Sequence, residues 1–208
     1  MNQQSDMRRC NQCVKGARYI VPINQIPPQG EKLQVDGVAY VEIPYGFVLS
    51  GNDYQLYLNV NETNLSMNRI WDIVNPSTTG LQRPRPREVI TVDGDISVNI
   101  VLDGFRPCAT SAEISLAPVT AFSYSENIPV WKTLAISMNG YNQYINFRLD
   151  AEIMNTYIID AVGRTISKKT NTNAFYRTLN DPSIKRMAMV SYRILIIPYI
   201  ENSAKSQC

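Results

Sequence analysis

The stretch Glu88–Arg106, EVITVDGDISVNIVLDGFR, constrains the fold more than any other part of the chain. Val89, Thr91, Ile96, Val98 and Ile100 are apolar or β-branched, and the last three alternate with polar residues, the period of a strand with one buried face. Asp93-Gly94 interrupts the alternation and Asp103-Gly104 follows it. Asp-Gly accommodates the positive φ angles of a tight primed turn, because glycine has no Cβ and aspartate tolerates the left-handed region. The reading is a β-meander turning at these dipeptides, at the centre of a mainly β protein.

Similar signals recur along the chain. Ala17–Ile23 is a first strand candidate. Leu33–Val35 and Val38–Ile43 flank Asp36-Gly37, a second hairpin signature. Phe47–Ser50 and Tyr54–Val60 read as a strand pair around Gly51-Asn52-Asp53. Val130–Met138 and Tyr141–Leu149 flank Asn139-Gly140, a third hairpin. Ile114–Tyr124 is strand-like, with Pro118 assigning it to an edge or a bulge. Met187–Ile197, MAMVSYRILII, is the longest β-rich run, and its second half reads as buried on both faces. Arg83-Pro84-Arg85-Pro86-Arg87 alternates in a way that favours an extended, polyproline-like connector. Two segments carry helical spacing. Residues 151–162 place Ile153, Met154, Tyr157, Ile158, Ala161 and Val162 on one helical face, with Asp150 as cap and Gly163 as stop. Their β-branched content leaves open a strand pair turning at Asp160–Gly163. Residues 66–74 are a second helix candidate, through Met67, Ile70, Trp71 and Val74.

The expected fold is therefore an antiparallel β-sandwich or jelly-roll-like barrel with a short helix at about 151–162 and a second candidate at about 66–74. Domain organisation follows: a polar N-terminal arm over residues 1–16, a single β domain over 17–200, and a loose tail over 201–208. Turn signals about every 8–15 residues suit an antiparallel sandwich or barrel, and too few helices intervene for a parallel sheet.

Chemistry is harder to find. The chain has no histidine, which removes the usual base of Ser and Cys nucleophiles. Ser97 and Ser137 sit mid-strand without an elbow motif. Carboxylates such as Glu42, Asp53, Glu126 and Asp150 have no spacing that selects a pair. Phosphate-binding glycine loops are absent. No catalytic residue and no cofactor is assigned. Cys10 and Cys13 have the spacing of one half of a tetrahedral zinc site, but the free-thiol reading is favoured, so no metal is expected. A net charge of +2 does not point to specific nucleic-acid binding. No apolar run spans a membrane, and the N-terminus lacks a secretory core segment, so synthesis in the cytoplasm is expected. A small-molecule ligand is not expected. Tyr54 with Tyr57, or Tyr141, Tyr144 and Phe147, offer a candidate stacking platform for sugars, and core packing accounts for them equally well.

The remaining features concern assembly. Charged residues are only 18% of the chain, against 12 tyrosines; such a surface repels neighbours little, and tyrosine is favoured at interfaces. The basic clusters Arg8, Arg9, Arg83, Arg85, Arg87, Lys168 and Lys169 are candidate contacts to partner proteins. With its hairpins at Asp36-Gly37, Asp93-Gly94 and Asn139-Gly140 and its polar arm, the chain resembles the β-sandwich structural proteins of virus particles, including capsid-associated and head-to-tail connector proteins of tailed phages. The resemblance implies a symmetric ring or shell of identical subunits with other structural proteins, each arm crossing onto a neighbour, and incorporation into a virion. A carbohydrate-binding sandwich of adhesin or fibre type is the other reading of the same residues.

Overall fold

The structure is a computed structural model that describes residues 20–22, 33–74, 85–108, 119–137 and 144–201. The elements are β1 (Ile20–Pro22), β2 (Gln34–Ile43), β3 (Phe47–Leu49), β4 (Gln55–Val74), β5 (Arg85–Pro107), β6 (Thr120–Ser137), β7 (Tyr144–Ile159), β8 (Thr165–Ser167), α1 (Thr172–Leu179) and β9 (Arg186–Glu201). They form two antiparallel sheets, neither closed into a barrel. In the first, β9 is central, with β1 and β2 along one edge and β7 then β8 on the other. In the second, β5 is central, with β3 and β4 in line on one edge and β6 on the other. At about 3.3 Å per residue, β5 is on the order of 75 Å long.

Period-two patterning explains how the sheets meet. On β5, Ile90, Val92, Ile96, Val98, Ile100 and Leu102 are buried. On β9, Ala188, Val190, Tyr192, Ile194 and Ile196 are buried. These faces pack against one another with Ala39, Val41 and Ile43 of β2 and Ile145 and Ile158 of β7 in a single apolar cluster. The mainly β, antiparallel, sandwich-type fold expected from the alternation is what forms.

The turns are elsewhere. Asp93-Gly94 lies inside β5, not at a hairpin. Gly94 has φ +127°, and a Cβ there would stand 2.1 Å from the Asn64 carbonyl oxygen. It faces the point where β4 gains residues: Ser97 pairs with Asn61 and Asp95 with Asn64. The dipeptide's positive φ thus admits a bulge in the partner strand. Gly104, φ +101°, plays the same part near the end of β5. Opposite it, residues 50–54 leave the ladder between β3 and β4, and Ser50 donates from both N and Oγ to the Gly104 carbonyl at 2.8 and 2.9 Å. Phe47–Ser50 and Tyr54–Val60 therefore do not pair with each other; both run along β5.

Asp36-Gly37 is also internal to a strand. Gly37 pairs with Tyr192, and a Cβ there would fall 2.2 Å from that tyrosine's Cζ and hydroxyl. The glycine is required because the ring lies across the strand, not because the chain turns. Asn139-Gly140 lies outside the described residues. The segments flanking it are not a hairpin, since β6 pairs with β5 and β7 with β9 and β8.

Neither expected helix forms. Residues 66–74 are the second half of β4. Most of 151–162 is strand β7, which turns at Asp160–Gly163 into β8, the alternative that the β-branched residues left open. A register shift between Ile153 and Asn155 moves the buried face from odd to even positions, and this break in a period of two gave the sequence its helix-like spacing. The one helix among the described residues is α1, within the polar stretch 164–183. Asn171 caps it by accepting from the Ala174 N–H, and Phe175 and Leu179, one turn apart, are its buried residues.

Arg85–Arg87 continue β5 and pair with Asp72–Val74 of β4, so this part of the Arg-Pro run is ladder, not polyproline connector. β6 pairing begins only at Glu88, and a strand with one neighbour is where proline is tolerated. The second half of β9 is buried on its inner face alone; Arg193, Leu195 and Ile197 on the other face are half-buried.

Candidate functional site

Among the described residues, a cluster of titratable and aromatic side chains lies at the end of the sandwich covered by α1. The 50–54 excursion carries Asp53 and Tyr54 toward the segment that joins β8 to α1. There the Tyr176 hydroxyl donates to Asp53 Oδ1 at 2.6 Å, and Lys168 Nζ stands 3.6 Å from the same oxygen. Lys168 also lies 4.6 Å from the centre of the Tyr54 ring and 5.3 Å from that of Tyr176. Burial alone would raise the Asp53 pKa, but hydrogen bonds from Tyr176 and from the Tyr54 N–H, with the Lys168 charge, hold it below the ordinary value. Burial raises Tyr54, and burial together with Asp53 raises Tyr176. Burial would lower Lys168, and its hydrogen bond to Tyr176 with the electrostatic influence of Tyr54 and Asp53 more than reverses this. Every shift moves its group further from neutral pH, so the carboxylate stays ionised, the amine protonated and the phenols neutral. General acid–base chemistry wants the opposite tuning. The arrangement clamps the second sheet's excursion to the first sheet's helix.

Two buried groups complete the link between the sheets. Arg186 is 1% exposed and donates to three carbonyls: Leu179 at 2.7 Å, Phe47 at 2.9 Å and Pro44 at 3.2 Å. Leu179 ends α1, where carbonyls carry the negative end of the helix dipole. Burial lowers the Arg186 pKa, but a guanidinium keeps its proton in proteins. Its Nε has no hydrogen-bond partner. Midway along the sandwich, the Tyr192 hydroxyl of β9 donates to Glu126 Oε1 of β6, and the Tyr124 hydroxyl donates to Oε2 at 3.1 Å. Burial, and then the bond to Glu126, push the Tyr192 pKa up. Neither Arg186 nor the Glu126 pair stands out in the sequence, because their partners are more than 60 residues away or are backbone atoms.

Of the residues singled out for contacts, Arg8, Arg9, Cys10, Cys13 and Arg83 lie outside the described residues. Arg85 and Arg87 sit at the start of β5. Lys168 belongs to the clamp, and Lys169 donates to the Met154 carbonyl at 2.9 Å. The structure therefore does not gather the described basic residues into one patch. Tyr54 is half-buried against Phe175 and Tyr176, Tyr57 is exposed, and Phe147 packs against the core, so Tyr54 and Tyr57 share no platform. Among the described residues, no three thiol or carboxylate groups come together, and no helix is long and apolar enough to cross a membrane.

The outer face of the first sheet carries the more telling surface. Successive cross-strand rows there are Glu42, Met187 and Ile159; Tyr40, Met189 and Tyr157; Val38, Ser191 and Asn155; Asp36, Arg193 and Glu152. Tyr40 and Val38 are 46% and 43% exposed. The apolar rows are bounded by ion pairs, with Arg193 2.8 Å from Asp36 on one side and Lys185 2.8 Å from Glu42 on the other. A sandwich face turned only to water would alternate to polar residues.

No protein family, no curated protein and no solved structure matches this chain.

Proposed function

We propose that this protein is a non-catalytic structural subunit that assembles with copies of itself and with other structural proteins, as a component of a virus particle. The observation that carries the assembly reading is the apolar, methionine- and tyrosine-bearing outer face around Tyr40, Met189 and Tyr157, rimmed by paired charges. Contiguous apolar surface with a polar rim marks protein–protein contacts, and Tyr and Met are enriched in them. The clamp at Asp53 and Lys168 supports the same reading, since its groups are tuned for rigidity. The particle setting rests on the sequence resemblance alone.

Sedimentation velocity of the purified full chain, with identification of co-purifying proteins, tests the reading. The expected result is an oligomer or a bound structural partner, weakened by Met189→Lys. A monomer at every concentration, with nothing bound, overturns it.

A further inference from the structure

Among the described residues, strand β6 ends its sheet. Its neighbour is β5, and between Val119 and Trp131 its far edge presents backbone N–H and C=O groups that no described strand takes up, the situation of an edge strand. From Val119 to Trp131 the residues alternate without a break between exposed and half-buried or buried, and pairing with β5 keeps one register from Leu102–Phe122 to Thr91–Thr133. Natural edges are usually blunted by charge. Here the outward face between Val119 and Trp131 holds Ala121, Ser123, Ser125, Asn127 and Pro129, none of them charged. At its two ends stand large exposed apolar residues, Val119 at 60% and Trp131 at 71%. They are equidistant from Ser125.

We propose that β6 pairs with β6 of a second copy of this chain, antiparallel about a two-fold axis through Ser125. This deepens the assembly reading and rests on it. The register sets Val119 against the partner copy's Trp131, so each covers the other and the contact occurs twice. Ser123 then faces Asn127 and Ala121 faces Pro129. On the inner side Phe122 meets Ile128 and Tyr124 meets Glu126, a pairing of types that already hydrogen-bond within one chain. Neighbouring registers do worse. An axis through Glu126 sets two carboxylates opposite each other, which is destabilising. An axis through Asn127 sets Val119 against the partner copy's Ala135 and Trp131 against Ser123, so the two large exposed residues no longer cover each other. Pro129 offers no N–H, so each half of the new ladder lacks at most one bond. The result is one continuous sheet across the dimer, held along about 40 Å of strand.

The test compares the wild-type full chain with Ser125→Lys, Asn59→Lys and Ser125→Cys. Ser125 and Asn59 are both exposed, on opposite edges of the sheet. Ser125→Lys places two ammonium groups at the axis. It is expected to raise the dimer dissociation constant at least tenfold in sedimentation equilibrium, with circular dichroism and thermal midpoint unchanged, while Asn59→Lys does not. Ser125→Cys is expected to give a disulfide between its own two copies under mild oxidation, identified by peptide mapping, which also answers the question should Ser125→Lys fold poorly. A wild-type oligomer indifferent to Ser125→Lys, with no cross-link through the introduced thiol in Ser125→Cys, overturns this interface while leaving the assembly reading intact. A wild-type monomer with no partner overturns both.

Discussion

At the scale of single residues, the hydroxyl of Tyr192 has the clearest consequences. It reaches Glu126 across the sandwich only because its ring crosses strand β2 at Gly37, where a Cβ would fall 2.2 Å from ring atoms. Gly37→Ala must displace either the ring or the strand. The expected cost is about 2 kcal/mol, typical of overpacking a filled core. Tyr192→Leu removes the obstruction, so in chemical denaturation the double variant should be less destabilised than the sum of the two single ones; strict additivity would mean the ring does not set the glycine. The same tyrosine makes stability depend on alkaline pH. Its folded pKa is raised above the ordinary value near 10, so its contribution is full below about pH 10. Above that, the unfolded chain releases the proton first, and stability falls by up to about 1.4 kcal/mol per pH unit. Tyr192→Phe lacks this group. The stability difference between wild type and Tyr192→Phe should be flat at neutral pH and move against the wild type above about pH 10, as read from urea midpoints along a pH series. Little of this was legible beforehand. Gly37 and Gly94 drew attention in the sequence as turn formers, yet a glycine is needed equally where a ring crosses a strand or a bulge presses on one. The two demands differ only in what lies opposite, which local sequence does not encode.

Elements show the same limit in another form. The alternation at Ile96, Val98 and Ile100 matches the buried face of β5, while before Asp93-Gly94 the core takes Ile90 and Val92 rather than Val89 and Thr91; the antiparallel sandwich inferred from it forms. Joining the strands failed because the Asp-Gly signal has two outcomes, a hairpin or a bulge within a long strand, and the strands here are far longer than the usual five or six residues. In β7, the register shift at Ile153–Asn155 turned a strand into an apparent helical stripe, while the real helix hid in a polar stretch. Three cues for that helix were nonetheless present: a capping Asn171, Phe175 and Leu179 one turn apart, and Asp181-Pro182 to end it. The helix is short enough that its cap should matter. Asn171→Ala removes the acceptor for the Ala174 N–H, 3.1 Å away, and is expected to cost about 1 kcal/mol. Asn171→Asp should restore most of that loss, since aspartate caps as well and sets a charge at the helix N-terminus. Thermal melts of the three proteins read this directly, and equal loss in both variants would show that the side chain acts otherwise than as a cap. The clamp at Asp53 and Lys168 depends on this element, because Tyr176 rides on it.

At the scale of the whole molecule, the two ends of the described chain meet in one sheet. Gln34 pairs with Leu195 and Ile43 with Arg186, and β7 flanks the same strand on its other side. No local contact substitutes for β9. Its inner face supplies Ala188, Val190, Tyr192, Ile194 and Ile196 to the single core cluster, and its first residue, Arg186, holds three carbonyls, from α1, the β2–β3 connection and the start of β3. Without it, β2 has no strand partner and β7 keeps only the short β8, both facing an open apolar layer, and the second sheet loses its cover. Pairings across such long loops are slow to form, because closure entropy is spent before the contacts that offset it exist. The two sheets are therefore expected to fold together or not at all, and a chain ended at Lys185 should remain unfolded. In circular dichroism it would lack the near-ultraviolet signal of packed tyrosine and tryptophan, and its amides would exchange without protection. If the truncated chain instead kept protected amides in β4, β5 and β6, the second sheet would be stable alone, and the single core would have to be divided into two independently folding halves.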